Sequence, residues 1–104
     1  MHRDIKAENV LIDKEYLLVK LTDFGLACIA SPETCNSEPV GTLAYAAPEI
    51  LIRQPYTYMV DNWSLGVVLY FMLYGILPFN NQSEIKLVKQ IVETEPDWDV
   101  IEIS

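Results

Sequence analysis

Within eight residues, His2-Arg3-Asp4-Ile5-Lys6-Ala7-Glu8-Asn9 gathers a carboxylate, an ammonium and a carboxamide. An Asp followed two residues later by Lys and five residues later by Asn suits chemistry on a phosphate. The carboxylate can orient a hydroxyl and take its proton, the ammonium can neutralise a phosphoryl group in transit, and the amide oxygen can hold a metal ion. A second acidic stretch, Asp23-Phe24-Gly25, supplies another hard oxygen of the kind magnesium prefers.

Taken alone, Asp-Phe-Gly is an ordinary loop sequence. Here the eight-residue stretch, Asp23-Phe24-Gly25 and Ala47-Pro48-Glu49 follow one another in a single order, and chance agreement of all three is far less common than any single match. In that order they resemble the signature set of the protein kinase family, and the resemblance runs nearly end to end. It implies that Asp4 is the catalytic base and that Asn9 and Asp23 hold magnesium, with Asp23 on the ion that bridges the ATP phosphates. ATP carries about four negative charges, which metal ions on hard oxygens would offset.

The same resemblance assigns further positions. Lys6 matches kinases that act on Ser/Thr rather than Tyr, and Thr42, in Gly41-Thr42-Leu43-Ala44-Tyr45-Ala46-Ala47-Pro48-Glu49, matches the hydroxyl that bonds the catalytic Asp and Lys. Without the family, Thr42 reads as a turn residue after Gly41. Leu11, between Val10 and Ile12, would floor the adenine site, and His2 with Phe24 would stack into an internal spine; by residue type all three are core side chains, which is compatible. Arg3 would pair with a phosphate on the activation loop, at a place that Glu38 occupies here. A carboxylate accepts a bidentate guanidinium pair, so Glu38 is expected to stand in for the phosphate; otherwise Ser31, Thr34 and Ser37 are the candidate phosphosites. The competing reading of Glu38 is a solvated loop acid. Asp61, in Asp61-Asn62-Trp63-Ser64-Leu65-Gly66, would accept bonds from the catalytic-loop backbone, and Glu8 matches a position that contacts an Arg of the substrate in some kinases. Pro78-Phe79, Pro96-Asp97-Trp98 and Ser104 resemble the calcium/calmodulin-dependent kinase group.

Positioning these residues requires a small set of elements. Val10–Ile12 and Leu17–Leu21 are β-prone runs around the polar Asp13-Lys14-Glu15-Tyr16, which predicts an antiparallel hairpin with Asp23-Phe24-Gly25 at its exit. Residues 26–48 lack an apolar period and predict a long functional loop. A short helix starts near Pro48 and stops by Pro55. Trp63 to Phe79, broken only by Ser64, two glycines and Pro78, predicts a buried core helix, and its length and glycines disfavour a membrane span. Asn81-Gln82-Ser83-Glu84 predicts a capping box with Asn81 as N-cap, opening an amphipathic helix with Ile85, Val88, Ile91 and Val92 on one face until Pro96 stops it. The fold class is mainly α with a small β-hairpin, a partial kinase-like C-lobe, and residues 1–104 form one partial catalytic domain.

Composition narrows the partners. A net charge of -8, from 15 acidic and 7 basic residues, argues against nucleic acid or an anionic membrane, either of which needs a basic patch, and fits a basic protein substrate better. Two cysteines, Cys28 and Cys35, with one His supply neither a zinc set nor a disulfide framework, so an intracellular, cytoplasmic setting is expected. The sequons Asn62-Trp63-Ser64 and Asn81-Gln82-Ser83 carry little weight there, and the first is expected inside a packed helix. With His2, Arg3 and Asp4 directly after Met1 and no apolar run next, no signal peptide is expected. The Gly-rich loop, the Lys-bearing strand and its Glu partner that the family needs cannot lie in a chain whose catalytic loop begins at residue 2, and the Arg that pairs with Glu49 is also missing. The expectation is an N-lobe-less fragment of a Ser/Thr kinase, inert when isolated; the alternative is a non-catalytic remnant that binds a protein partner.

Overall fold

The computed structural model describes residues 1–28 and 41–98. The first element is a single 3₁₀ turn at Ala7–Asn9, which leads into strand β1 (Val10–Asp13) and its antiparallel partner β2 (Leu18–Leu21). The register pairs Val10 with Leu21 and Ile12 with Val19, so these four share one face of the hairpin, while Leu11, Lys20, Asp13 and Leu18 share the other. The turn is made by Asp13, whose Oδ1 accepts from the N–H of Glu15 at 3.0 Å and of Tyr16 at 3.3 Å, and it closes through Leu17 at a φ of 54°.

After a 3₁₀ turn at Leu43–Tyr45 come helices α1 (Pro48–Leu51), α2 (Met59–Tyr74) and α3 (Glu84–Glu93). Pro48 opens α1 at a position where a missing N–H costs nothing. The mainly helical class with one hairpin is therefore observed, with three differences of placement. The core helix starts at Met59 and ends at Tyr74, four and five residues earlier than the apolar run implied. Gly75, at a φ of 77°, ends it by donating its N–H to the Phe71 carbonyl at 2.8 Å, so the run's last residues form a loop.

Nor is α2 buried all round. Val60, Ser64, Val67, Val68 and Tyr70 face inward, whereas Leu65, Leu69, Met72 and Leu73 lie exposed on the opposite side. Asn62 is in the helix but exposed. The N-cap of α3 is Ser83, whose Oγ accepts from Lys86 N–H at 3.4 Å, while Asn81 sits outside the helix and accepts from Ser83 N–H at 2.9 Å. Ile91 is buried as the predicted face required and Val88 is half-buried, but the inner face is completed by Leu87, whereas Ile85 and Val92 are exposed.

The core lies between α2, the 43–50 segment and α3. Ile5, Tyr45, Val67 and Val68 make one buried cluster, Ala47, Ile50, Tyr56 and Val60 a second, and Phe79, Leu87 and Ile91 a third. Trp63 packs against all three and stacks on Phe79 at a ring separation of 6.1 Å. One large side chain thus ties the His2-to-Asn9 side of the molecule, through Ile5, to α3.

Candidate active site

The loop from His2 to Asn9 is held by backbone contacts that start from α2. Asp61 accepts from His2 N–H at 2.7 Å and from Arg3 N–H at 2.9 Å, one oxygen for each donor. Charge-assisted bonds of this kind are the strong ones, and they hold Arg3 at a φ of 70°, a conformation that a side chain normally disfavours. Above the loop, the place for a Cβ on Gly41 would fall 2.7 Å from the Arg3 carbonyl oxygen, so only glycine lets the 41–47 segment come this close.

That approach brings Thr42 onto Asp4. The Thr42 hydroxyl donates to Asp4 Oδ1 at 2.7 Å and accepts from Lys6 Nζ at 3.1 Å, while Lys6 Nζ lies 3.9 Å from Asp4 Oδ2. Three side chains from two distant segments are thereby ordered into one bonded set. Asp4 is 12% and Lys6 24% exposed, which leaves the carboxylate shielded yet reachable. Such a set can hold a carboxylate in one rotamer, beside a positive charge, where an incoming hydroxyl would meet it.

His2 is buried and fixes the loop from within. Its Nδ1 accepts from Asp4 N–H at 3.1 Å, so Nε2 carries the hydrogen and donates to the Thr22 carbonyl at 2.9 Å. Its ring meets Phe24 edge-on, with centroids 4.9 Å apart. Asn9 is also buried, and its Nδ2 donates to the Asp4 carbonyl at 2.9 Å, which commits the amide nitrogen and turns the oxygen into the atom available to an ion. Asp23 is exposed at a φ of 58°, one oxygen accepting from Gly25 N–H at 3.3 Å. Among the described residues no three His, Cys, Asp or Glu side chains gather into a metal cluster. A magnesium ion that keeps waters and phosphate oxygens needs only one or two protein ligands, so Asn9 and Asp23 fit it by donor chemistry.

Other residues singled out by the sequence stand differently. Leu11 is 54% exposed on the open hairpin rather than part of a core. Glu8 is exposed, and the side chain of half-buried Glu49 forms no hydrogen bond or ion pair among the described residues. Glu38, Ser31, Thr34 and Ser37 lie outside the described residues. The Arg3 guanidinium does have partners within them: Nε donates to the Leu26 carbonyl at 2.6 Å and Nη1 to the Tyr56 hydroxyl at 3.2 Å. Sequence reasoning missed Tyr56, because one Tyr in Pro55-Tyr56-Thr57-Tyr58 carries no pattern that separates it from its neighbour. Burial pushes the Tyr45 hydroxyl pKa up, opposed by a bond to the Ala7 backbone and aided by the Glu8 charge.

The family model described as the protein kinase domain matches residues 1–102. The chain is 43% identical over 106 residues to CBL-interacting protein kinase 16 of Oryza sativa subsp. japonica, an alignment covering 93% of this chain and 23% of that protein. It is 43% identical over 93 residues to sperm motility kinase 2B of Mus musculus, covering 88% of this chain and 19% of that protein. To the serine/threonine-protein kinase H1 homolog of Danio rerio it is 41% identical over 99 residues, covering 88% of this chain and 23% of that protein. The chain spans less than a quarter of the length of the curated relatives it matches.

Proposed function

The chain belongs to the protein kinase family, and from that premise we propose that it is the catalytic-loop and activation-segment part of an intracellular serine/threonine kinase. In this reading the whole protein transfers the γ-phosphoryl group of ATP to a Ser or Thr hydroxyl of a protein substrate. The observation that carries it is the bonded set of Asp4, Thr42 and Lys6, because it ties a base and a cation to the segment that borders the substrate. Asp4 orients the hydroxyl and accepts its proton, and Lys6 offsets charge on the phosphoryl group. Asn9 and Asp23 would hold magnesium, which supplies neutralisation of the phosphates when bound.

Support for a Ser/Thr target comes from Lys6 and Thr42 and from the names of the relatives. The acidic balance and exposed Glu8 support a basic peptide, and the Pro78-Phe79 and Pro96-Asp97-Trp98 stretches support the calcium/calmodulin-dependent group. The test is a phosphotransfer assay on the protein that carries this chain, offered matched Ser, Thr and Tyr peptides with basic flanks. Transfer to Ser or Thr that Asp4→Asn cuts by about 10² to 10⁴ is the expected result; activity untouched by Asp4→Asn overturns the assignment.

Activation follows from Arg3. A guanidinium has five N–H donors, so the bonds to Leu26 and Tyr56 do not preclude a pair with Glu38 in place of a phosphate. On this reading phosphatase treatment leaves activity unchanged; a loss would move the role to Ser31, Thr34 or Ser37. A second reading, a non-catalytic remnant that binds another protein, is favoured by the exposed apolar side of α2. No helix among the described residues is long and apolar enough to cross a membrane.

A further inference from the structure

Arg3 joins three parts of the chain. Its backbone N–H is held by Asp61 of α2, its Nε by the Leu26 carbonyl just beyond Asp23-Phe24-Gly25, and its Nη1 by Tyr56 in the link between α1 and α2. The first two contacts use groups fixed by their own backbone or helix. The third uses a hydroxyl on a ring that is 2% exposed and locked among Ala47, Ile50 and Val60. We infer that Tyr56 is a positioning residue of this site: its hydroxyl fixes the plane of the Arg3 guanidinium, so that Nε–H meets Leu26 and the catalytic loop is held in register with the Asp23 segment.

The chemistry of the guanidinium explains why this matters. Its donors lie in one rigid plane, so a bond to one nitrogen sets the direction of the others. A buried hydroxyl in a packed ring is a stiff anchor, and it lies 53 residues from Arg3, far enough for the bond to tie separate segments. The direct effect on Asp4 passes through the Arg3 backbone, which already sits at a φ of 70°. The inference rests on the kinase reading only for calling this loop catalytic; the geometry stands apart from it.

The chain contains two arginines, Arg3 and Arg53, so a ¹⁵N spectrum of the 104-residue protein shows two Nε–H signals. In Tyr56→Phe, which keeps the ring, hydrogen exchange at Arg3 Nε is expected to quicken about five- to tenfold, with Arg53 and the α2 amides within about twofold of the parent. Unchanged exchange at Arg3 overturns the inference. A melting cycle provides the second arm, because Lys at position 3 cannot form the planar fork. Tyr56→Phe lowers the melting temperature of the parent and has no further effect once Arg3→Lys is present. An equal response on both backgrounds means that Tyr56 serves packing alone and refutes the role. Neither arm measures phosphotransfer, so failure here and failure of the kinase reading are separate results.

Discussion

Thr42 is the residue on which the site's order turns, since among the described residues it alone bonds the side chains of both Asp4 and Lys6. Thr42→Ala leaves the Asp4 carboxylate, among the described residues, with one longer contact to Lys6 at 3.9 Å. In the protein that carries this chain, kcat should fall about 10- to 100-fold while KM for ATP stays within about twofold, and Thr42→Ser should recover most of the loss. Steady-state kinetics of the three forms check this, and an intact kcat in Thr42→Ala would remove Thr42 from the site. Gly41 is as exacting for a different reason: Gly41→Ala must displace the Arg3 carbonyl or adopt a strained φ of 109°, so a loss of about 1–3 kcal/mol in urea unfolding is expected. At this scale the sequence was legible where residue type and order name a contact, as for the bonds of Thr42 to Asp4 and Lys6 and of Asp61 to the loop backbone. It was silent on Tyr56, and on the Leu26 carbonyl, because a contact between residues tens of positions apart leaves no local mark.

Elements were legible in kind and less so in extent. The apolar run through α2 hid its real end because Gly75 stops the helix by backbone geometry, not by a change of hydrophobicity. The two glycines of that run therefore make opposite predictions. A Cβ on Gly66 would meet nothing within 4 Å, so Gly66→Ala in the helix interior should stabilise the chain by about 0.5–1 kcal/mol, whereas Gly75→Ala, at a φ of 77°, should cost about 1 kcal/mol. Opposite shifts in the thermal midpoint are the check, and a gain at Gly75 would contradict the cap. The far end of α2 carries a clasp: the Tyr70 hydroxyl donates to the Asp97 carbonyl, and Tyr70, Tyr74 and Trp98 form a cluster of rings 4.5 to 6.4 Å apart. Burial, then the Asp97 and Tyr74 charges, push the Tyr70 hydroxyl pKa above its ordinary 10.0. A raised folded value means that the clasp is fully stabilising below pH 10 and is lost as pH climbs from about 10 through the folded value. Trp98 emission should accordingly change only above pH 10, and Tyr70→Phe should abolish that step.

The whole molecule sets what this chain can do by itself. Composition was a sound guide to class and a poor one to burial. Of its apolar residues Leu11, Ile12, Leu18, Val19 and Leu21 line both faces of an uncovered hairpin, because a pattern of alternating hydrophobicity tells which residues share a face but not what lies against it. The consequence for nucleotide binding is direct. Asn9 and Asp23 would offer oxygens to magnesium, but Leu11 is 54% exposed and no described residue closes over it, so adenine would gain little from burial. Affinity left to a metal and a few charges in water is weak, on the order of 1 mM or poorer. A ligand at 100 times its Kd would add about 2.7 kcal/mol to stability, which in a chain of this size is a shift of about 10–20 °C. With about 0.1 mM ATP and magnesium the isolated 104-residue chain should instead melt within about 1 °C of its ligand-free midpoint. A shift of several degrees, absent in Asp23→Ala, would show that this chain builds an ATP site unaided.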